Sequence, residues 1–243
     1  MTGRAAALAP LLPPLAAAAA WTAPALAPIA APVAHALRVP RRTTAPAVAL
    51  TFDDGPHPEA TPAVLDVLAA AGARATFFVV GEQVERHPAL VRRIAADGHA
   101  LAVHGFRHRN QLRLAPAAVA RDALRGRRAI EQAAGLRCDL YRPAYGIFSA
   151  GGLRAVRRAG FRVLLWSHWG RDWRVATGAE RIAALAAAAP RAGDVLLLHD
   201  SDAYSEAGCW RGTVAALPAI LAAIERAGLS ADAPLGALPA AAG

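Results

Sequence analysis

From Ala47 onward the chain alternates short apolar runs with longer Ala/Leu/Arg stretches whose apolar positions recur at helical spacing. The runs Ala47 to Phe52, Ala75 to Val80, Ala100 to Val103, Leu140 to Arg142, Phe161 to Trp166 and Asp194 to His199 read as strands. Pro62 to Ala71, Pro88 to Asp97, Pro116 to Ala134, Gly152 to Ala159, Glu180 to Ala188 and Thr213 to Ala227 read as helices. Gly72, Gly98, Gly135, Gly160 and Gly228 fall where helix C-caps belong. This alternation predicts an α/β fold of β/α units, because parallel strands need helices on both faces or a closed barrel. A seventh strand is faint, near Ser230 to Leu235.

Residues 5 to 37 break the pattern. They contain no Asp, Glu, Lys or Arg and are mostly Ala, Leu and Pro, with Arg4 before them and Arg38, Arg41 and Arg42 after. The composition predicts a signal or membrane-anchor segment over residues 1–40, followed by one domain over 41–243, secreted or membrane-anchored and outside the cytoplasm. Ala34-His35-Ala36 offers a cleavage site. Pro10, Pro13, Pro14, Pro24, Pro28 and Pro32 oppose a membrane-spanning helix, since each interior proline removes a hydrogen bond that lipid cannot replace. A disordered Ala/Pro leader is the alternative.

Hydrophobic residues make up 55% of the 243 positions and charged ones 19%, enough for one well-buried core. All 27 basic residues are Arg, and the net charge of +9 favours anionic surroundings such as an acidic cell wall or a membrane surface. No run of five basic residues and no basic stretch interleaved with aromatics is present, so a nucleic-acid partner is not expected. Two cysteines, Cys138 and Cys209, exclude both a disulfide scaffold and a Cys-rich zinc site.

Chemistry clusters at the ends of the strands. Thr51-Phe52-Asp53-Asp54-Gly55-Pro56 closes the first with adjacent carboxylates, which are costly to ionise together unless they share a cation or a proton. His104-Gly105-Phe106-Arg107-His108 follows the third, and in a helical turn its i, i+4 spacing would put both imidazoles within reach of one ion. Arg142-Pro143-Ala144-Tyr145-Gly146 closes the fourth. Trp166-Ser167-His168-Trp169-Gly170-Arg171-Asp172-Trp173 supplies aromatic faces suited to stacking on sugar rings, and Leu197-Leu198-His199-Asp200 ends the last strand. Singly each has an ordinary structural use; five in this order at five strand ends point to a site.

The order T-F-D-D-G-P, H-x-x-x-H, R-P-x-Y-G, D-W, L-x-H-D resembles the polysaccharide deacetylase family, carbohydrate esterase family four, over about Ala47 to Gly228. The resemblance implies a distorted (β/α)7 barrel and removal of acetyl groups from N-acetylated glycans such as peptidoglycan or chitin-like polymers. It implies Asp54, His104 and His108 as ligands of a divalent metal, Zn²⁺ or else Co²⁺ or Mn²⁺. It further implies Asp53 as the base toward water, Arg142 as its partner, the Tyr145 N–H as an oxyanion donor, and His199 as the acid tuned by Asp172. Trp173, Leu197, Tyr145 and Trp169 would shape the substrate pocket. Two positions depart from the family pattern: Gly105 stands where Ser or Thr is common, and Trp169 where many members carry an Asp. A sugar O-acetyl esterase on the same machinery, and a non-catalytic wall-binding module on the same fold, are the alternatives. His57, His87, His99 and His168 read as structural or rim residues.

Overall fold

In the computed structural model, residues 18–236 are described. Strands β1 (Ala49–Asp53), β2 (Ala75–Val79), β3 (Ala100–Val103), β4 (Leu140–Tyr141), β5 (Arg162–Val163), β6 (His168–Trp169) and β7 (Val195–His199) pair in parallel as one sheet. Their order is β5-β4-β3-β2-β1-β7-β6. Helices α1 (Ala31–Ala36), α2 (Ala60–Ala70), α3 (Gly81–Arg86), α4 (Pro88–Ala96), α5 (Pro116–Ala134), α6 (Ala150–Arg158), α7 (Ala179–Ala186) and α8 (Trp210–Arg226) accompany it.

The central strands are buried along their whole length, which explains why they read as unbroken apolar runs and not as alternating ones. Phe52 of β1 stacks on Phe77 of β2 at 5.2 Å between ring centroids. The polar exceptions are satisfied internally: the buried Thr51 hydroxyl donates to the Leu196 carbonyl at 2.7 Å. The glycines expected at helix ends all take positive φ, and Gly135 closes α5 in the left-handed conformation at φ 70°.

The sheet is the distorted seven-stranded barrel that the resemblance implies, and the distortion has a location. β5 and β6 follow each other in the chain yet stand at opposite ends of the sheet order, so a seam lies between them, crossed by residues 164–167. This also corrects the seventh strand. It is His168–Trp169, paired with β7, whereas the segment from Ser230 makes an isolated bridge from Asp232 to Arg74 and hydrogen bonds at Thr76. The apolar run Phe161 to Trp166 looks like one strand because all of it but the exposed Arg162 is buried, but its backbone pairs with β4 over Arg162–Val163 and then leaves to cross the seam. Helix α3 has no counterpart among the expected elements, because six residues are too short to show a 3.6 period.

Part of the segment read as a signal or anchor lies within the described residues. From residue 18 it forms helical turns, including a 3-10 turn at Ala23–Leu26 and the short α1, with Pro24, Ala27, Pro28, Ala34 and Val39 buried against the barrel. Among the described residues no helix is long and apolar enough to cross a membrane. Residues 1–17 lie outside the described part. Cys138 and Cys209 are both buried and are not joined by a disulfide.

Candidate active site

At the end of β1 the backbone turns sharply: Asp54 takes φ 80°, a region tolerated best by Gly, Asn and Asp. The turn leaves Asp53 and Asp54 on the wall of one cavity at the carboxyl rim of the sheet, where barrel active sites sit. It also brings Gly55 against Asp200, so that a β-carbon at position 55 would collide with the Asp200 carboxylate.

His104 follows β3. Its Nδ1 lies 2.9 Å from the Arg142 carbonyl oxygen, which can only accept, so Nδ1 carries the proton and Nε2 faces Asp54 Oδ1 at 3.4 Å. His108 Nε2 reaches the same oxygen at 3.3 Å. Residues 104–108 are an irregular loop, not the helical turn expected from the i, i+4 spacing. Gly105 has φ 90°, and the Asp122 carboxylate of α5 accepts the Phe106 N–H at 2.8 Å, so a carboxylate from a neighbouring helix shapes the loop that brings the two rings together.

Asp54, His104 and His108 present ligand atoms that all lie within 4.8 Å of one another. Asp54 Oδ1 is buried with no hydrogen-bond partner among the described residues, as is His108 Nδ1. Burial opposes ionisation of Asp54, but the hydrogen-bonding approach of His104 and the surrounding imidazoles outweigh it and hold the carboxyl down to about 2. Burial pushes His108 down to about 4 against the pull of Asp54, so its ring is neutral near pH 7. A buried, charged carboxylate oxygen facing two imidazole nitrogens without a hydrogen bond is costly unless a cation sits among them, and this mixed N/O set suits a divalent metal. The residues fit.

Asp53 Oδ1 accepts from Arg142 Nη1 at 2.7 Å. Arg142 has no exposed surface, and three more of its donors go to Thr51 Oγ1 (2.9 Å), the Leu164 carbonyl (3.2 Å) and the Leu165 carbonyl (3.0 Å). Its guanidinium lies 3.9 Å from the centre of the Phe78 ring. This fixed fork pins the Asp53 carboxylate in one orientation.

On the neighbouring strand His199 ends β7, in register with Asp53. Asp172 Oδ1 accepts from its Nδ1 at 2.8 Å, and Asp172 Oδ2 accepts from the His199 backbone N–H and from Thr213 Oγ1, both at 2.8 Å. Burial disfavours the charged imidazole, but Asp172, with Asp54 and Asp53 behind it, outweighs this and pushes His199 up to about 10. Asp172 is fully buried and holds His199 from behind, as Arg142 holds Asp53.

Asp53, Asp54, His104, His108 and His199 all line one cavity of about 280 Å³. Tyr145, Trp169, Trp173 and Leu197 are also among its lining residues. Tyr145 is 54% exposed, at φ 59°, with its ring edge-on to His108 at 4.4 Å; Trp173 is edge-on to His199 at 6.1 Å. Two further residues in the region have contacts that the sequence does not assign: Tyr204, which no motif includes, and Asp200, the last residue of the L-x-H-D motif. Tyr204 stacks on His108 at 4.5 Å, its hydroxyl donating to Glu82 Oε1 at 2.7 Å and accepting from Gln83 Nε2 at 3.1 Å. Asp200, bonded to Thr61 Oγ1 at 2.5 Å, is pushed up to about 7 by burial and by the charge of Asp54. Both lie on the loop after β7, and no periodicity or spacing points to the Tyr204 contact. His99 is buried and accepts the Ala75 N–H, and His57 accepts the N–H groups of Glu59 and Ala60 at the start of α2, so these two are structural.

An Arg-held carboxylate, an Asp-held imidazole and a cluster of metal-ligand type meet at the carboxyl rim of a β/α barrel, an arrangement able to support hydrolysis. Comparison with known proteins narrows this. The polysaccharide deacetylase family profile matches residues 41–164. A chitooligosaccharide deacetylase of Bradyrhizobium sp. (strain ANU 289) is 39% identical over 189 residues, covering 75% of this chain and 86% of that protein. Among solved structures, the Bc1960 peptidoglycan N-acetylglucosamine deacetylase superposes with a TM-score of 0.72 at 30% identity, over 78% of this chain and 86% of its own. A family 4 carbohydrate esterase from Streptomyces lividans, solved with acetate, superposes with a TM-score of 0.68 at 30% identity, over 76% and 90%. The chain belongs to the polysaccharide deacetylase family.

Proposed function

We propose that this protein hydrolyses the N-acetyl groups of an N-acetylglucosamine polymer, chitin-like or peptidoglycan, giving acetate and a free amine, and that it acts outside the cytoplasm. The observation that carries the reading is the convergence on one cavity of the Asp54/His104/His108 cluster, the Arg142-held Asp53 and the Asp172-held His199. The activities named for its relatives support the choice of substrate.

Asp54, His104 and His108 would hold the metal, Zn²⁺ by donor type, with Co²⁺ or Mn²⁺ as the other choices. When bound, such a cation polarises an acyl oxygen and makes water acidic enough to lose a proton near neutral pH. Asp53 takes the proton from the attacking water, with Arg142 fixing its orientation. The new C–O bond forms at the acetyl carbon, and the Tyr145 N–H donates to the oxygen on which negative charge develops. His199 gives its proton to the amide nitrogen as the C–N bond breaks, which an amide requires because an unprotonated amine anion leaves poorly. Trp173, Leu197 and Trp169 enclose the acetyl group and the sugar.

The test compares acetate release from chitooligosaccharides and from acetylated xylooligosaccharides by the zinc-reconstituted full chain. Acetate with an equal amount of new free amine from the chitooligosaccharide is expected. Acetate from the xylan substrate alone would replace the reading with an O-acetyl esterase, and release from neither would replace it with a binding module.

A further inference from the structure

We infer that residues 18–41 are a permanent strap of the catalytic domain that closes the seam between β5 and β6, with Pro28 positioning the cavity wall at Gly146 and Trp166. The strap is fitted to the barrel at several independent points. Trp21 packs so closely on Gly151 that a β-carbon there would meet its Cη2 at 2.6 Å. A β-carbon on Gly146 would meet Pro28 Cγ at 2.8 Å and Trp166 Cη2 at 2.6 Å, so a bare backbone is what lets strap, turn and indole come together. Ala27 has no exposed surface and belongs to the same buried cluster as the strands. Arg157 Nη2 donates to the carbonyls of Leu37 (2.8 Å) and Arg38 (2.7 Å), satisfying groups at the end of α1.

The seam supplies the functional link. Its backbone between β5 and β6 is held from outside by the strap, with the Leu165 N–H donating to the Pro40 carbonyl at 2.9 Å and Arg41 Nε donating to the Trp166 carbonyl at 2.9 Å. From inside, the carbonyls of Leu164 and Leu165 accept from Arg142, whose Nη1 orients Asp53. Gly146, against which Pro28 packs, and Trp166, whose indole meets Gly146 at the same point, both line the cavity, and Gly146 follows Tyr145 in its turn. Pro28 touches no reacting atom and acts through these neighbours. Cleavage after Ala36 would strip away Trp21, Ala27 and Pro28 and open this wall, so any trimming of the chain falls before residue 18.

Two measurements on the full chain test the inference; the kinetic one rests on the deacetylase reading and the other does not. Intact mass of the mature protein recovered from a secreting bacterial host is expected to include residues 18–36, and an N-terminus at Leu37 would overturn the strap. Pro28→Asp is expected to lower kcat on chitooligosaccharides about tenfold and to shift tryptophan emission to the red as Trp166 becomes wetted, with zinc content unchanged. Pro28→Val, which keeps an apolar contact, is expected to restore kcat; Pro28→Ala gives a smaller loss in the same direction should the Asp variant not fold. Unchanged kcat, KM and emission in Pro28→Asp would overturn the positioning role. A wild-type chain that releases no acetate would instead count against the deacetylase reading, leaving mass and emission to judge the strap.

Discussion

Replacing Asp53 with asparagine is expected to lower kcat by roughly 10²- to 10⁴-fold, the range ordinarily supplied by one positioned base, while the protein still takes up its metal. The two adjacent carboxylates are separated by their partners. Asp53 Oδ1 is committed to Arg142, whereas Asp54 Oδ1 is the oxygen that His104 and His108 both face. Asparagine keeps an oxygen for Arg142 Nη1 but removes both the basicity and the countercharge of a fully buried guanidinium, so a fall in Tm accompanies the loss of rate. Steady-state kinetics beside a zinc titration checks this. Loss of zinc binding in Asp53→Asn would reassign Asp53 as a ligand.

Asp172→Asn is expected to reduce kcat by about 10²-fold and to move the alkaline limb of the pH–rate profile toward lower pH. Burial alone would drive His199 toward the neutral ring, and Asp172 is the foremost of the groups that reverse this and push it up to about 10. Without that carboxylate the charged imidazole is less favoured, the proton is lost at lower pH, and the acid form disappears sooner as pH rises. Asp54 contributes to the same shift, so a cation held by Asp54 brings the limb below about 10 even in the unaltered protein. The stability linkage has the same sign. A folded-state pKa above the unfolded value of roughly 6.5 contributes stability that is full below that value and lost as pH rises through the folded pKa. The Tm gap between the metal-free wild type and Asp172→Asn should therefore be widest below about pH 6.5 and narrow toward pH 10. A gap that widens with pH, or an alkaline limb that does not move, would remove Asp172 from this role.

The strands that carry the chemistry were legible because each is buried on both sides and ends in residues that an apolar run does not explain. Asp53, His104, Arg142 and His199 all sit at or just beyond the last residue of a strand, and the parallel arrangement then gathers them on one rim. Less was legible where function depends on contacts between distant segments. Tyr204 reaches His108 because Glu82 and Gln83 of a six-residue helix hold its hydroxyl, and nothing local to residue 204 announces this. The imidazole pair was read correctly as converging, but through the wrong geometry: Gly105 at φ 90° and Asp122 from α5 do what a helical turn would have done. Gly105, a departure from the family pattern, is thereby built into the loop, since a β-carbon there would meet Asp122 Oδ2 at 2.9 Å.

The apolar N-terminal stretch shows the opposite difficulty. Its lack of charge is what a membrane or secretion segment needs, and it is equally what Ala27, Ala34 and Val39 need to enter a protein core. Composition does not separate the two, whereas the close approach of Pro28 to Gly146 and of Trp21 to Gly151 bears directly on the question.

In the proposed mechanism Asp54, His104 and His108 form a divalent metal site serving Asp53 and His199. Metal content by mass spectrometry on the full chain, beside Asp54→Ala and His104→Ala, tests it most directly. Roughly one zinc per chain is expected for the wild type, as for a catalytic zinc site, with loss of that zinc in both variants and the fold retained. A wild-type chain that takes up no zinc, cobalt or manganese after reconstitution, or an Asp54→Ala variant that binds zinc as well as the wild type, would contradict it.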